Sequence, residues 1–322
     1  MRLGVSVDGF RAASATCKQA QAAEAGGADV LWIASHLFQR DPISLAAVAL
    51  ASTHRLKVGL MAMSPYAMHP VHIAMAAATL AELHPTRVLL SLGVGAPALL
   101  RRAGIEAHRP LAAVSEALTI CRGLLRGEPV HREGSVFRID HALLANGGGQ
   151  IPILLAASGP RMLDLAGAQA DGVIVSGGTS LGFVRWCADR LRAAGGDAPT
   201  CHGIVYVAPP IPRIGQADAL RRNLAFILRG EHHRHNIALS GSAIDQVRLR
   251  EALEREDWPS VEALIPDEAL AAFSASGHPP GLRARLAEYA AAGLDTVGRG
   301  GLNEPDELET VLGTLTAHQD SR

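Results

Sequence analysis

The sequence predicts a (β/α)8 TIM barrel, and three observations carry that prediction. Eight short β-rich runs recur along the chain, and a longer Ala/Leu-rich stretch of helical spacing follows each. The first turn, Val7-Asp8-Gly9-Phe10-Arg11, lacks the GxGxxG that an open doubly wound sheet places after its first strand. At 322 residues, with 48% hydrophobic and 19% charged side chains, the composition is that of a folded globular protein. A single domain over 1–322 is expected, with inserted segments at about 128–150 and 230–280, after strands four and seven.

The first run, 3–7, reaches Asp8 too soon to be a secretory leader and feeds a helix over 14–25. The second, 29–34, runs into Ser35 and His36 before a helix over 43–52. The third, 57–62, starts an uncharged stretch over 58–81 that is long enough to span a bilayer. Pro65, His69, Pro70 and His72 interrupt that stretch, so it reads as strand, loop and helix, with Pro70 opening the helix over 71–83. The fourth run, 87–93, precedes a helix over 111–125, and 130–150, with Gly134 and Gly147-Gly148-Gly149, reads as a hairpin or loop. Runs at 151–156, 172–176, 201–207 and 296–300 pair with helices over 161–169, 181–194, 217–228 and 304–315. The long stretch between the last two strands is expected to hold inserted helical structure.

Thirty basic against thirty-one acidic side chains leave a net charge of -1, so no field draws the molecule to nucleic acid or to a membrane surface. A small-molecule substrate is expected instead. Cys17, Cys121, Cys187 and Cys201 are far apart and form no CxxC, which suggests neither a disulfide framework nor a zinc knuckle, and a cytoplasmic protein. Helical faces such as Val114, Leu118 and Leu125 offer a seam for a homodimer or higher homo-oligomer, though core packing accounts for them equally well.

Barrel chemistry sits at the C-terminal ends of the strands. There the second strand delivers Ser35 and His36, and a neutral imidazole can donate to a ring or exchange a proton near pH 7. A structural histidine satisfied by a carbonyl is the competing reading. The third strand ends at Met61-Ala62, and the fourth at Gly93-Val94-Gly95, where two glycines permit close approach of a flat ligand. After the fifth, Ala157-Ser158-Gly159-Pro160-Arg161 offers backbone amides, a hydroxyl and a helix N-terminus, which are the parts of a phosphate site. Gly177-Gly178 makes a second small-residue loop beside it. No metal is expected: the three histidines in Glu231-His232-His233-Arg234-His235 have no carboxylate or cysteine at ligand spacing, and neighbours on a helix point apart.

Taken in order, these segments resemble the luciferase-like family of flavin- and deazaflavin-dependent oxidoreductases, most closely its methylenetetrahydromethanopterin-reductase-like branch. The resemblance covers nearly the whole chain. It rests on Trp32-Ile33-Ala34-Ser35-His36, Ser64-Pro65-Tyr66 with His69-Pro70, Arg87-Val88-Leu89-Leu90-Ser91-Leu92-Gly93-Val94-Gly95, Ala156-Ala157-Ser158-Gly159-Pro160-Arg161-Met162, Ala170-Asp171-Gly172 and Phe273-Ser274-Ala275-Ser276-Gly277. It implies a barrel mouth holding coenzyme F420, a deazaflavin, or FMN. It further implies a non-prolyl cis peptide at Met61-Ala62 behind the ring, and Gly93, Val94 and Gly95 approaching it. By the same resemblance Ala157, Ser158, Gly159 and Arg161 hold the phosphate, and His36 is the active-site histidine. Many deazaflavin-dependent relatives carry Asp where Ser35 stands, and the methanopterin-reductase pattern usually has Glu where Ser6 stands. Asp8 shares the side-chain parity of position six and is the candidate substitute.

The implied activity is hydride transfer between F420 and a small organic substrate, such as a pterin- or folate-type one-carbon carrier. The alternatives are an FMN-dependent monooxygenase using dioxygen and a non-catalytic cofactor-binding relative.

Overall fold

The eight β-rich runs pair edge to edge until the sheet meets itself. The structure, a computed structural model, describes residues 2–145, 147–175, 177–195, 199–207, 216–276, 279–300 and 304–316. Ser176, the last residue of the run 172–176, and Gly277 lie outside the described residues. The barrel strands are β1 (Arg2–Val7), β2 (Val30–Ala34), β3 (Lys57–Met63), β4 (Val88–Leu92), β5 (Ile153–Ala156), β6 (Gly172–Val175), β7 (Thr200–Val207) and β8 (Thr296–Gly300). Each pairs in parallel with the next, and β8 pairs with β1 to close the ring.

Alternation along each strand divides its residues between two apolar clusters. Leu3, Val5, Val7, Leu31 and Ile33 face outward into the main core against the helices. Val30, Trp32, Leu154, Ile174 and Ile204 face inward and fill the barrel. Trp32 is fully buried there. A Cβ on Gly59 of β3 would stand 2.3 Å from two indole carbons, so only glycine fits opposite this ring.

The barrel helices are α1 (Ala13–Ala25), α2 (Pro42–Ala51), α3 (Pro70–Leu83), α4 (Pro110–Leu125), α5 (Pro160–Gln169), α6 (Leu181–Ala193), α7 (Pro279–Ala291) and α8 (Pro305–Thr316). Proline opens α2, α3, α4 and α5, where its missing N–H costs nothing. Asp41 caps α2 by accepting from the Ser44 N–H at 2.7 Å, and the His69 ring accepts from the Val71 N–H at 3.3 Å above α3. Val114, Leu118 and Leu125 of α4 are buried inside the chain, so core packing and not a subunit seam accounts for them.

The first insertion is an antiparallel hairpin, Val130–Glu133 with Arg138–Ala142. Its turn is held by buried Glu116 of α4, whose carboxylate accepts from the N–H groups of Ser135, Val136 and Phe137 at 2.8, 3.1 and 2.9 Å. Burial alone would raise the Glu116 pKa, but the hydrogen bonds from Phe137, Ser135 and Val136 outweigh it and hold the carboxyl below its usual range.

The second insertion corrects one assignment. The run over 217–228, read as the seventh barrel helix, is the helix Gln216–Leu228 of the insertion, whose Leu224 and Leu228 pack with Leu249, Val261, Ile265 and Phe273 in a separate core. The seventh wall helix is α7, whose Leu282, Leu286 and Tyr289 join the main core. Tyr289 donates its hydroxyl to the Thr179 carbonyl at 2.8 Å, and Asn236 donates to the Gly178 carbonyl at 2.8 Å, which ties the insertion to the loop after β6. No helix among the described residues is long and apolar enough to cross a membrane. All four cysteines are free, and burial pushes the thiols of Cys121 and Cys201 up to about 12, which makes them inert near neutrality.

Candidate active site at the barrel mouth

Every site residue expected from the sequence lies at or just beyond the C-terminal end of a strand. The floor is built first, by β3 and its neighbours. The Met61-Ala62 peptide is cis, and the β3–β4 pairing shifts register between Leu60 and Met63. The Met61 carbonyl accepts from the Ser35 N–H at 2.6 Å, and the Met63 carbonyl from the Gly93 N–H at 3.0 Å. Ser35 is thus a joint between β2 and β3. Ser64 donates its hydroxyl to the Val94 carbonyl at 2.7 Å, fixing the loop after β4.

Met61, Ala62 and Ala156 are half-buried, so solvent reaches the floor. A Cβ on Gly93 would stand 3.2 Å from the Ala62 Cβ and 3.1 Å from the Ala156 Cβ. Glycine therefore keeps three adjacent strand ends flush, and the result is a low, apolar surface of small residues. Gly95 follows at φ +89° and is exposed.

One wall is the loop from β5 into α5. Gly159 is the N-cap of α5 with no side-chain cap, and no atom lies within 4 Å of where its Cβ would stand. Ser158 is half-buried, and Gly159 and Arg161 are exposed beside the positive end of the helix dipole. Ala157 differs: it is buried, and its N–H is spent on the Ile174 carbonyl at 3.2 Å, so it anchors the turn. The Gly177-Gly178 loop is drawn toward the insertion. The Gly178 N–H donates to the Ile204 carbonyl at 3.3 Å and its carbonyl is held by Asn236, while a Cβ on Gly177 would stand 3.1 Å from the Tyr206 ring.

The opposite wall carries the charge. Asp8, just past β1, accepts from the Phe10 N–H at 3.0 Å. Arg40 donates to the carbonyls of Gly9 and Phe10 at 3.1 and 2.9 Å and clips this loop to the one after β2. His36 is exposed at the mouth, with protein packed close enough around it to desolvate the ring in part. That desolvation lowers its pKa, and the Asp8 charge partly offsets the effect. On β7, burial and, to a lesser degree, the Asp8 charge push the Tyr206 hydroxyl up to about 12. A carboxylate, an imidazole and a phenol, from β1, β2 and β7, therefore share one electrostatic field. His36 is neutral near pH 7 and can give or take a proton, whereas Tyr206 stays a donor. Tyr206 went unnoticed in the sequence, although its parity with Ile204 on an inward-facing strand points it into the barrel.

A low floor of small residues beside a helix N-terminus fits a planar heterocycle with an anionic tail. Met61, Ala62, Gly93 and Gly95 would meet the ring, and Ser158, Gly159 and Arg161 the tail.

A sequence profile of the luciferase-like monooxygenases matches residues 2–296. The chain is 31% identical over 300 residues to the 5,10-methylenetetrahydromethanopterin reductase of Archaeoglobus fulgidus, covering 90% of each chain. It is 28% identical over 301 residues to the enzyme of the same name from Methanolobus tindarius, covering 91% of each. The structure of the coenzyme F420 dependent tetrahydromethanopterin reductase from Methanopyrus kandleri superposes with a TM-score of 0.88 over 98% of this chain and 99% of that one. At 21% identity that likeness concerns the fold.

Proposed function

We propose, since the chain belongs to the luciferase-like monooxygenase family, that it is an oxidoreductase moving a hydride between coenzyme F420 and a small organic substrate, a pterin- or folate-type one-carbon carrier. The observation that carries this reading is the 31% identity to a methylenetetrahydromethanopterin reductase over 90% of both chains. The half-buried floor residues Met61 and Ala62, with Gly93 level beside them, support it. When bound, a deazaflavin supplies or accepts the hydride, and the protein does the rest.

Ser35 and Ser64 lock the floor, and the loop before α5 holds an anionic tail through backbone amides and the helix dipole. His36 hydrogen-bonds the reacting heteroatom, or protonates it from the imidazolium form that the Asp8 charge favours and is left as neutral imidazole. Positioning contributes most, since proximity is worth roughly 7–11 kcal/mol. The enzyme is read as cytoplasmic and homo-oligomeric; sedimentation giving the mass of one chain would overturn the latter.

Ser6 and Ser35, standing where the resemblance implies Glu in the usual methanopterin-reductase pattern and Asp in many deazaflavin-dependent relatives, leave the choice of cofactor open, and the second reading is reduced FMN with dioxygen. Two assays separate them. Anaerobic oxidation of reduced F420 that depends on a methylene-tetrahydropterin or methylene-tetrahydrofolate is the expected result. Substrate-dependent oxygen uptake with reduced FMN, and none of the former, would replace the first reading by the second.

A further inference from the structure

The hairpin after α4 holds a cluster that the barrel chemistry does not use. In its ladder Val130 pairs with Ala142 but Arg132 pairs with Ile139, so the register shifts between them. One residue of the first strand, His131, therefore opposes two of the second, Asp140 and His141. This is the arrangement of a β-bulge, in which the paired and the extra side chain are re-aimed together. His141 has φ +43°, a left-handed conformation uncommon outside glycine. The outcome is that three metal-ligating side chains share one face.

Their spacing is that of a coordination site. His131 Nδ1 stands 3.0 Å from Asp140 Oδ1, and His141 Nε2 stands 3.7 Å from the same oxygen. A tetrahedral zinc site with bonds of about 2.0–2.2 Å has ligand atoms roughly 3.3–3.6 Å apart. The two separations bracket that range, and one ligand atom from each residue lies within 4.8 Å of the others. The two imidazole rings lie 4.9 Å apart and 30° from parallel. All three side chains are exposed, so torsion about their own bonds can close the remaining gap without moving the backbone.

We propose that His131, Asp140 and His141 form a binding site for a divalent transition cation such as zinc, with water completing the tetrahedron. Two imidazoles and one carboxylate suit zinc, cobalt, nickel or copper, whereas calcium and magnesium demand more oxygen ligands than the bulge offers. The chain leaves the C-terminal end of α4 into this hairpin, and barrel helices run antiparallel to their strands. The base of the hairpin is thus at the end of the barrel away from the mouth. A cation here clamps the two hairpin strands across their bulge and takes no part in hydride transfer. The spacing along the sequence hides the site, because His131 and His141 meet only once the hairpin has formed.

The test is titration of the full-length, chelator-treated protein with Co2+ and with Zn2+. Co2+ reports tetrahedral coordination through its visible absorption, and calorimetry counts the Zn2+ equivalents. One tight equivalent is expected for the unchanged protein. H131A, H141A and D140N should each weaken it by at least about tenfold, with far-ultraviolet circular dichroism unchanged. H232A, on a different element, should leave it intact. Absence of binding at millimolar Zn2+, or binding that survives all three hairpin substitutions, overturns the assignment.

Discussion

Asp8 couples two groups that sit on different strands, which makes it the most informative single residue to change. Its negative charge raises the pKa of His36 against the lowering by burial, and raises that of Tyr206 on top of burial. In D8N the His36 pKa falls further, so whichever limb of the pH–rate profile His36 governs moves to lower pH; two unmoved limbs would show that the imidazole does not govern turnover. H36A should cut turnover by about 10²–10⁴-fold while cofactor affinity stays within a few fold, as measured by steady-state rates beside equilibrium binding. Ser35, His36 and Asp8 were readable in the sequence because each follows an apolar run within two residues, where a barrel puts its working groups. Tyr206 was not. Its direction depends on closure of the barrel, where it comes level with Gly300 of β8. Nor could the sequence tell that the Ala157 N–H is occupied while Gly159 stands open.

The elements are held by a few contacts whose removal has a definite size. The Glu116 carboxylate accepts three backbone N–H groups and the Ser135 hydroxyl at the hairpin turn. E116A removes the buried, charged acceptor that those donors share and should cost about 2–3 kcal/mol in urea denaturation, with faster amide exchange at 134–137. Gly59 and Gly313 make a paired test of crowding. G59A drives a methyl to 2.3 Å from the Trp32 ring and should destabilise by about 3 kcal/mol or more. Gly313 in α8 has nothing within 4 Å of its would-be Cβ, so G313A should stabilise by about 0.8–1.0 kcal/mol. The strands and most wall helices were legible because apolar period and proline starts mark them locally. The seventh helix was misassigned because Gln216–Leu228 and Pro279–Ala291 are both Ala/Leu-bearing runs between β7 and β8. Which one packs on the barrel depends on which finds apolar partners there, and periodicity within a run does not contain that information.

At the scale of the whole molecule, buried imidazoles set the response to acid. Burial and the Arg2 charge lower the His202 pKa to about 4 against an opposing effect of Asp295, and burial with His232 lowers that of His233 to about 3. Both are therefore neutral when folded at pH values where the unfolded chain, with an ordinary pKa near 6.5, already binds the proton. Their contribution is intact above pH 6.5 and is lost as the pH falls toward 4 and 3, at about 1.4 kcal/mol per pH unit for each histidine. Urea midpoints measured from pH 7.5 to 5 should fall accordingly, and H202N should flatten the slope; a slope identical in the two proteins would remove His202 from the account. The functional reading depends on the floor of the barrel mouth, where Met61, Ala62 and Ala156 are half-buried. Its most direct test is equilibrium titration of the purified protein with F420 and with FMN, followed by fluorescence quenching, beside the variant G93V, whose side chain would rise from the floor between Ala62 and Ala156. Saturable binding of one cofactor per chain, lost in a folded G93V, is the predicted result; no binding of either cofactor, or equal binding by G93V, contradicts the account.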